Sequence, residues 1–307
     1  MALNNLDLDA LEIFRTVATE GGITRAAQRL NRVQSNISTR IIQLEERLNV
    51  TLFNRVSRRL ELTAEGKLLL TYADRLLQLA EETEEVFKGG IARGSFRLGS
   101  MESTAAARLP ELLSTYHSRC PQVQMELVTD TTASLIAKVA NCELEAAFVA
   151  GPVSQRALSS PHSQQELSTQ LAFRENLVLI APRSKNFTQA QDAVNEHLIT
   201  FRAGCAYRNI VENWLIDQGG TVKSGMEMSS YHAIVACVAA GTGVALVPES
   251  VLQVITIGKM IQRLPLPAKY ANSETLLIWR QSYQPPKIDV LRQLIQNQWD
   301  HQATQSA

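Results

Sequence analysis

The chain has 307 residues, of which 45% are hydrophobic, so it is long enough to form about two or three domains with buried cores. Its 30 basic and 30 acidic residues cancel, and no apolar run approaches the roughly 18 residues of a membrane helix. The start of the chain lacks a signal-peptide pattern, and four scattered cysteines without a CxxC pair predict no disulfide framework, zinc site or cofactor. We expect a cytoplasmic protein without a membrane partner.

The first elements in chain order form a predicted helix-turn-helix. A helix over residues 7–19 should pack beneath the next two through Leu8, Leu11, Phe14, Val17 and Ala18. Residues 23–30 repeat apolar side chains at helical spacing, and residues 34–48 should bury Ile37, Ile41, Leu44 and Leu48. The opposite face of this last helix carries short polar side chains suited to base edges in a major groove: Gln34, Ser35, Asn36, Ser38, Thr39 and Arg40. The pattern predicts DNA binding.

Charge supports this interpretation locally. Between residues 21 and 60 there are eight arginines, opposed only by Glu45 and Glu46, whereas residues 61–87 carry seven acidic side chains. A basic segment beside an acidic one is typical of a single DNA-facing element on an otherwise neutral protein. Leu52 and Phe53 should anchor a hairpin, or wing, that reaches phosphates or the minor groove through Arg55, Arg58 and Arg59. Asn31 is the expected cap of the third helix, in a capping box with Gln34.

A long helix is predicted from residue 63 to residue 90. Thr63 is its expected N-cap, and glycines 89, 90 and 94 end it. Three columns recur every seven residues: Leu69, Leu76 and Thr83; Tyr72, Leu79 and Val86; and Ala73, Ala80 and Phe87. Such columns predict a coiled-coil seam and therefore a dimer, although a helix packed on its own domain is the alternative.

Strands and helices alternate beyond residue 94. The strands are predicted over residues 95–99, 124–129, 146–149, 176–181, 198–201, 243–247 and 274–279. The helices are predicted over residues 104–117, 132–141, 207–218, 231–240 and 288–299. Strands separated by helices of this length indicate βαβ units with parallel sheets, so the fold class is α/β with a helical, winged head.

Four motifs in the first 66 residues resemble the signature of the LysR-type transcriptional regulators: AAQRL at 26–30, LEERL at 44–48, LFNR at 52–55 and LTAEG at 62–66. The resemblance implies a winged helix-turn-helix domain (1–62), a dimerisation linker helix (63–90) and an effector domain (91–307) with a periplasmic-binding-protein-like fold. Its lobe I would span about 91–165 and 269–307, and its lobe II about 166–268. The implied partners are double-stranded DNA with an interrupted palindromic operator, a small-molecule effector, and the chain itself as homodimer or homotetramer.

Three strand-to-helix turns should face the crevice between the lobes, where open α/β sheets bind ligands. They supply the predicted effector site: Ser100, Met101, Glu102, Ser103, Thr104, Thr129, Thr131, Phe201, Arg202, Gly204, Cys205, Tyr207 and Arg208. Hydroxyls and helix N-termini suit a small organic anion, to which Arg202 or Arg208 would add a bidentate contact. Ser103 and Thr104 are equally compatible with ordinary N-caps, and Tyr207 with a core aromatic.

Cys205 carries an alternative to effector binding. It begins a helix near Arg202 and Arg208, conditions that lower the pKa of a thiol, and some LysR-type regulators sense oxidants with a cysteine in a comparable loop. A pocket-lining role is favoured because Cys237 lies in an apolar helix and does not provide an evident resolving thiol.

No catalytic motif stands out. The histidines are scattered and form no HExxH pattern, and no GxSxG nucleophile elbow occurs, so an enzyme is not expected. Two competing classes remain open at the level of sequence: a ligand-binding or enzymatic α/β protein with an incidental helical head, and a non-specific architectural DNA-binding protein.

Overall fold

A computed structural model describes residues 6–56, 59–87, 91–153, 166–222, 225–256 and 260–305. For residues 55, 56, 59, 85, 86 and 299–305 it describes the backbone alone. The chain forms two compact units that divide near residue 90. Among the helices of these ranges, none is both long and apolar enough to cross a membrane.

The described residues of the first unit form four helices and a hairpin. The helices are α1 (Leu8–Glu20), α2 (Ile23–Arg29), α3 (Gln34–Leu48) and α4 (Ala64–Phe87), and the strands are β1 (Phe53–Val56) and β2 (Arg59–Leu62). α1 begins after Asp7, whose carboxylate accepts a hydrogen bond from the N–H of Ala10 at 2.6 Å. It ends at Gly21, whose φ of 65° lies in the left-handed region that glycine adopts without strain.

The predicted core of this unit is largely confirmed. Its helices bury Leu11, Phe14, Val17, Ala26, Ala27, Ile37, Ile41 and Leu44. Leu52, just before the hairpin, and Phe53, its first residue, are buried in the same core. The rings of Phe14 and Phe53 lie 5.4 Å apart. Leu8 and Leu48 were expected in the core but are exposed, because each lies in the terminal turn of its helix and extends beyond the packed faces.

The hairpin is joined to α4 by a close backbone contact. Thr63 caps α4, as predicted, by accepting a hydrogen bond from the N–H of Gly66 at 2.9 Å. The N–H of Thr63 in turn donates to the carbonyl of Leu52 at 3.0 Å. A Cβ on Gly66 would lie 2.2 Å from that same carbonyl oxygen, so only glycine fits at this position.

The second unit begins with a lobe built on parallel strands. Its elements are β3 (Gly94–Ser100), α5 (Glu102–Ala107), α6 (Leu109–Arg119), β4 (Val123–Thr129), α7 (Thr132–Ala140) and β5 (Ala146–Gly151). β3 pairs in parallel with both β4 and β5, as the βαβ pattern predicted. The single helix expected over residues 104–117 is instead two helices that meet at Arg108. Pro110 explains the break, because proline fits a first helical turn but not a helix interior.

The rest of the unit is mixed rather than parallel. Its elements are β6 (Leu167–Pro182), β7 (Thr200–Phe201), α8 (Ala206–Asp217), β8 (Glu227–Met228), α9 (Tyr231–Ala239), β9 (Ala245–Pro248), α10 (Glu249–Val254), β10 (Ile261–Pro265), α11 (Ala268–Ala271), β11 (Asn272–Arg280) and α12 (Pro286–Gln305). β6 is antiparallel to β9, β10 and β11, so the expectation of parallel sheets holds for only part of the unit. The strand predicted over residues 198–201 shortens to β7.

β6 belongs to both lobes. Its residues 167–176 pair with β11, and its residues 177–182 pair with β9 and β10. The first crossing between the lobes therefore lies inside this strand, near residues 176–177, and not at residue 166 as predicted. Sequence analysis predicted a strand over only the second half of β6. That half alone is continuously apolar, as expected for a strand buried on both faces.

α12 returns to the first lobe, as predicted. Lys287 and Glu145 form a buried ion pair of 3.0 Å, and the Lys287 ammonium also donates to the carbonyl of Ser95 at 2.8 Å. The buried guanidinium of Arg280 donates to the carbonyls of Val139 and Leu144. These bonds tie the C-terminal strand and helix to the lobe that the chain left at β5.

Replacing Gly66 with alanine should destabilise the first unit by about 1–3 kcal/mol, since its Cβ would overlap a backbone oxygen. Amide hydrogen exchange of residues 8–67 in the full chain measures this loss of protection. Gly22→Ala is the matched control, because a Cβ there has no atom within 4 Å. Equal protection in the two variants would show that the contact with Leu52 relaxes without cost.

Candidate functional site

The polar face of α3 is exposed as the sequence predicts. Gln34, Ser35, Asn36 and Thr39 are exposed and Ser38 is half-buried, whereas the opposite side of the helix is buried in the core of the unit. Sequence reasoning missed Ile42, which is 53% exposed. It follows Ser35 and Thr39 at helical spacing, so it lies on the same face, and its apolar side chain suits the methyl group of thymine.

The start of α3 differs from the prediction. Its N-cap is Val33, which makes no side-chain capping bond, so the expected capping box of Asn31 and Gln34 is wrong. Asn31 instead adopts a φ of 52° in the turn that ends α2, where the N–H groups of Asn31 and Arg32 donate to Gln28 and Ala27. Asparagine tolerates this left-handed conformation, and the turn leaves its side chain too far back to cap α3.

Arg40 is placed differently from the other predicted base-contacting residues. Its guanidinium lies 3.8 Å from Asp7 and 3.6 Å from Asp9, at the start of α1. Arg32 bonds to the same Asp9 and lowers the pKa of that carboxyl group. Arg29 pairs with Glu20 and Arg47 with Asp7, so at least four of the eight arginines of this segment are paired within the unit. The contact of Arg40 with DNA stays a prediction.

The wing is present as an antiparallel hairpin whose register joins Phe53 to Leu62 and Val56 to Arg59. Glu45 of α3 fixes its start, because its carboxylate accepts the N–H groups of Leu52 and Phe53 at 2.7 and 3.2 Å. Sequence reasoning counted Glu45 only as a negative charge. Arg58 lies outside the described residues, as do the side chains of Arg55 and Arg59, so their contacts with phosphate stay predictions.

α4 carries an exposed apolar stripe. Leu68, Tyr72, Leu76 and Leu79 are between 39% and 60% exposed and share one side of the helix. Ala73 and Leu77 are buried in the core of the unit, and Leu69 packs partly against it. The heptad columns therefore divide. Ala73 is buried against its own domain, whereas Phe87 of the same column is 83% exposed. Leu69, which was predicted in the dimer seam, packs partly on its own domain, and its place in a dimer stays a prediction.

The second candidate site is a narrow cavity between the lobes, whose volume of about 10 Å³ has room for about one water molecule. It is lined by Met101, Glu102, Ser103, Asp130, Thr131, Thr132, Phe201, Cys205, Tyr207 and Tyr231. Helices α5, α7, α8 and α9 all begin at this cavity. Seven of the predicted effector residues are thus brought together. Asp130 and Thr132 belong to a turn that the sequence placed at the crevice, but they were not named as effector residues. Tyr231 was missed, although its position at the start of α9 would have identified it.

Six predicted residues lie elsewhere. Ser100 and Thr104 are buried, and Thr129 is exposed at the end of β4. Gly204 lines a neighbouring apolar groove with Ile136 and Pro152. Neither Arg202 nor Arg208 lines the cavity.

Both of these arginines are already paired. Arg202 donates to Asp130 across the cleft at 2.7 Å, and Arg208 bonds to Glu212 and Glu227 at 2.8 and 2.7 Å. The structure does not support the expected bidentate contact of Arg202 or Arg208. Asp130 pairs with Arg202 across the cleft, and Arg208 pairs with Glu212 one turn along its own helix and with Glu227 of β8. The prediction of an anionic effector therefore no longer has the bidentate arginine contact as support.

Asp130 is the most strongly connected group of the cleft. It accepts hydrogen bonds from Ser134 and Lys138 at 2.6 and 2.7 Å as well as from the N–H of Thr131. Burial raises its pKa, but the bonds from Lys138, Ser134 and Thr131 outweigh burial and lower the pKa from 3.8 to about 2. Asp130 therefore remains a carboxylate at neutral pH and bridges the two lobes through Arg202.

The surroundings of Cys205 do not favour the reactive thiol of the redox alternative. It is 8% exposed at the N-cap of α8, and burial raises the pKa of its thiol despite the N–H groups of Arg208 and Tyr207. A reactive cysteine needs a lowered pKa and solvent access. The position is instead that of a residue lining the cavity, and the redox alternative lacks the electrostatic basis on which it was proposed.

Two further polar groups in the cavity wall are notable. Burial raises the pKa of Glu102, whose Oε2 has no hydrogen-bond partner in the described part of the chain. Burial also raises the pKa of Tyr207, although its hydroxyl lies near those of Thr275 and Ser273. Within the same ranges, no three His, Cys, Asp or Glu side chains are grouped as a metal site would require.

Family models match both units. The model of the bacterial regulatory helix-turn-helix protein of the LysR family matches residues 8–67, and that of the LysR substrate binding domain matches residues 89–300. The chain belongs to the LysR family of transcriptional regulators. It therefore has a DNA-binding helix-turn-helix and an effector-binding domain, as the sequence motifs predicted.

Relatives of similar length support this assignment. The uncharacterized HTH-type transcriptional regulator YusT of Bacillus subtilis is 36% identical over 271 residues, which are 88% of each chain. The HTH-type transcriptional regulator YofA of the same organism is 35% identical over 89% of this chain and 92% of its own.

Solved structures share the fold. A full-length OxyR variant from Pseudomonas aeruginosa matches with a TM-score of 0.72 at 23% identity over 95% of both chains. Full-length CbnR complexed with its target DNA matches with a TM-score of 0.68 at 22% identity, over 95% of this chain and 99% of its own. The predicted fold class is confirmed.

Replacing Asp130 with asparagine should destabilise the LysR-type effector domain by about 1–2 kcal/mol at pH 7, allowing for its partial exposure. Because its folded-state pKa is depressed, the contribution is complete above the ordinary value of 3.8 and is lost as pH falls toward about 2. Urea unfolding of both proteins at pH 7, 4 and 2.5 measures the difference. Asp289→Asn is the control, since Asp289 pairs with one partly exposed arginine on the surface. A gap between wild type and Asp130→Asn that does not shrink with pH would contradict the assignment.

Proposed function

We propose that this regulator binds an interrupted palindromic operator as a homodimer held together by α4. The observation that carries the proposal is the exposed stripe of Leu68, Tyr72, Leu76 and Leu79 on a 24-residue helix. Exposed apolar side chains that share one side of a long helix are typical of a helix-helix interface. A two-fold symmetric dimer would place two copies of α3 on two half-sites of matching symmetry.

The polar half of α3 supplies the expected base contacts. Recognition helices contact bases through their N-terminal residues, and Gln34, Ser35, Asn36 and Thr39 lie in the exposed first half of α3. Backbone contacts would come from the arginines of the wing, Arg55, Arg58 and Arg59. The protein would act in the cytoplasm, where the bacterial DNA is, and without catalysing a reaction.

The cavity between the lobes is the expected effector site. An effector that binds it would add to or replace the two contacts that cross the cleft, from Arg202 to Asp130 and from Tyr231 to Glu102. A ligand shifts a conformational equilibrium only if it binds the two conformations unequally. The two conformations in question would be the cleft with these crossing contacts formed and the cleft with them broken. The small organic anion predicted from sequence would depend on helix N-termini and hydroxyls alone.

Replacing Gln34 with alanine should cost about 1–3 kcal/mol of binding at the operator and reduce discrimination against random DNA. Gln43→Ala is the matched control, because it removes the same amide from an exposed position in the second half of α3. Fluorescence anisotropy with operator and random duplexes at several salt concentrations measures both quantities. An unchanged specificity ratio for Gln34→Ala, or an equal loss for Gln43→Ala, would contradict this orientation of the helix.

Placing glutamate at both Tyr72 and Leu79 should convert the dimer into monomers and lower operator affinity by at least tenfold. Thr71→Glu adds a single negative charge at an exposed position of α4 outside the stripe and should leave the dimer intact. Sedimentation at micromolar concentrations reports the assembly, including any tetramer formed by two dimers. A wild-type monomer under these conditions, or a dimeric double variant, would overturn the proposed interface.

A further inference from the structure

The exposed side of α3 carries an apolar side chain among its hydroxyl groups. Ser35, Ser38 and Thr39 precede Ile42 by seven, four and three residues, so all four share one side of the helix, here called the recognition face. Ile42 is 53% exposed there and does not belong to the core of the unit. Packing within the unit therefore does not explain an isoleucine at this position.

The neighbours of Ile42 on the recognition face are short. Serine and threonine side chains end at their γ atoms, whereas the Cδ1 atom of isoleucine lies one bond further from the helix. If this face enters a major groove, Ile42 therefore reaches the base edges together with the hydroxyl groups. Glu46, one turn further along the same side, is exposed, and DNA phosphates repel its charge. The part of α3 that suits DNA thus ends at Ile42.

Two other exposed apolar residues at the ends of α3 lie off the recognition face. Val33 is the N-cap and stands nine residues before Ile42, about two and a half helical turns, which corresponds to the opposite side of the axis. Leu48 lies in the last turn, about 120° around the axis from Ile42. Single exposed apolar residues such as these are common on protein surfaces. Ile42 differs because it lies within the proposed contact with DNA.

Base edges differ in what they offer to an apolar side chain. In the major groove, guanine, adenine and cytosine present hydrogen-bonding groups, whereas thymine also presents the methyl group on its C5 atom. An isoleucine that covers hydrogen-bonding groups removes water from them without replacing the lost bonds, which is unfavourable. Against a methyl group the same side chain buries apolar surface on both partners, which is favourable. Ile42 should therefore discriminate in favour of thymine.

We propose that Ile42 determines operator specificity by contacting the C5-methyl group of one thymine in each half-site. The inference rests on the proposed role of α3 in base recognition and names the base that Ile42 selects. An α-helix rises about 1.5 Å per residue, so Ile42 lies about 10 Å beyond Ser35 along α3. At about 3.4 Å per base pair, the thymine should lie within about three base pairs of the base that Ser35 contacts.

The test changes the methyl group and the side chain separately, using the full chain. Wild type first selects an operator from a library of random duplexes, and each thymine of the half-sites is then replaced by deoxyuridine, which lacks only the methyl group. Fluorescence anisotropy measures the affinities. One replacement should weaken wild-type binding about fourfold, the equivalent of one buried methyl group. The same replacement should leave the affinity of Ile42→Ala unchanged, because that variant lacks the contacting side chain.

Two controls separate the methyl contact from other effects. Leu48→Ala shortens an exposed aliphatic side chain of the same helix outside the recognition face and should respond to deoxyuridine as wild type does. Cytosine at the identified position should bind wild type weakly, and 5-methylcytosine should restore part of the affinity because it carries the same methyl group. Ile42→Ala should bind these two duplexes equally. Each comparison is a ratio of two duplexes for one protein, so a loss of stability does not imitate the result.

The outcomes also keep this inference apart from the proposed function. A selected operator in which no deoxyuridine weakens wild-type binding would refute the inference alone. The same holds if Ile42→Ala or Leu48→Ala contradicts its expected response at every sensitive thymine, or if 5-methylcytosine restores no affinity. A wild type that selects no sequence from the library would refute the proposed function and this inference together.

Discussion

The effector domain depends on one strand that belongs to both of its lobes. β6 has 16 residues, the first ten of which pair with β11 and the rest with β9 and β10. Backbone hydrogen bonds on both halves of one continuous strand keep the lobes connected while leaving a cleft between them. The turns after β4 and β7 meet in that cleft, where Asp130 accepts from Arg202. The shared strand thus brings cavity residues of both lobes to one cleft.

Acidic residues determine which arginines remain free for function. In the first unit, Asp7 and Asp9 pair with Arg32 and Arg40, and in the second unit carboxylates pair with Arg202 and Arg208. Partly exposed pairs of this kind contribute modestly to stability, but each one removes a cation from a binding surface. Counts of basic residues therefore overestimate the charge available to a ligand or to DNA.

The features most suited to function are those that stability alone would not favour. The apolar stripe of α4 exposes leucine and tyrosine side chains, and Glu102 leaves one buried oxygen unpaired. Exposed apolar area and unsatisfied buried polar atoms both raise the free energy of the folded chain. A bound partner would relieve both costs, which is the physical basis for proposing an interface on α4 and a ligand site in the cleft.

The sequence by itself determined the helix-turn-helix, the wing, the long linker helix and most strand positions. These elements depend on side-chain periodicity and capping within a few residues, as at Thr63 and along α3. Only the tertiary structure decided that β6 spans both lobes, that Leu69 packs on its own domain and that Arg202 and Arg208 are paired. It also brought Tyr231 to Glu102 across 129 positions of sequence. Strand pairing and charge pairing join residues that are remote in the chain, so local patterns contain no information about which partner each one finds.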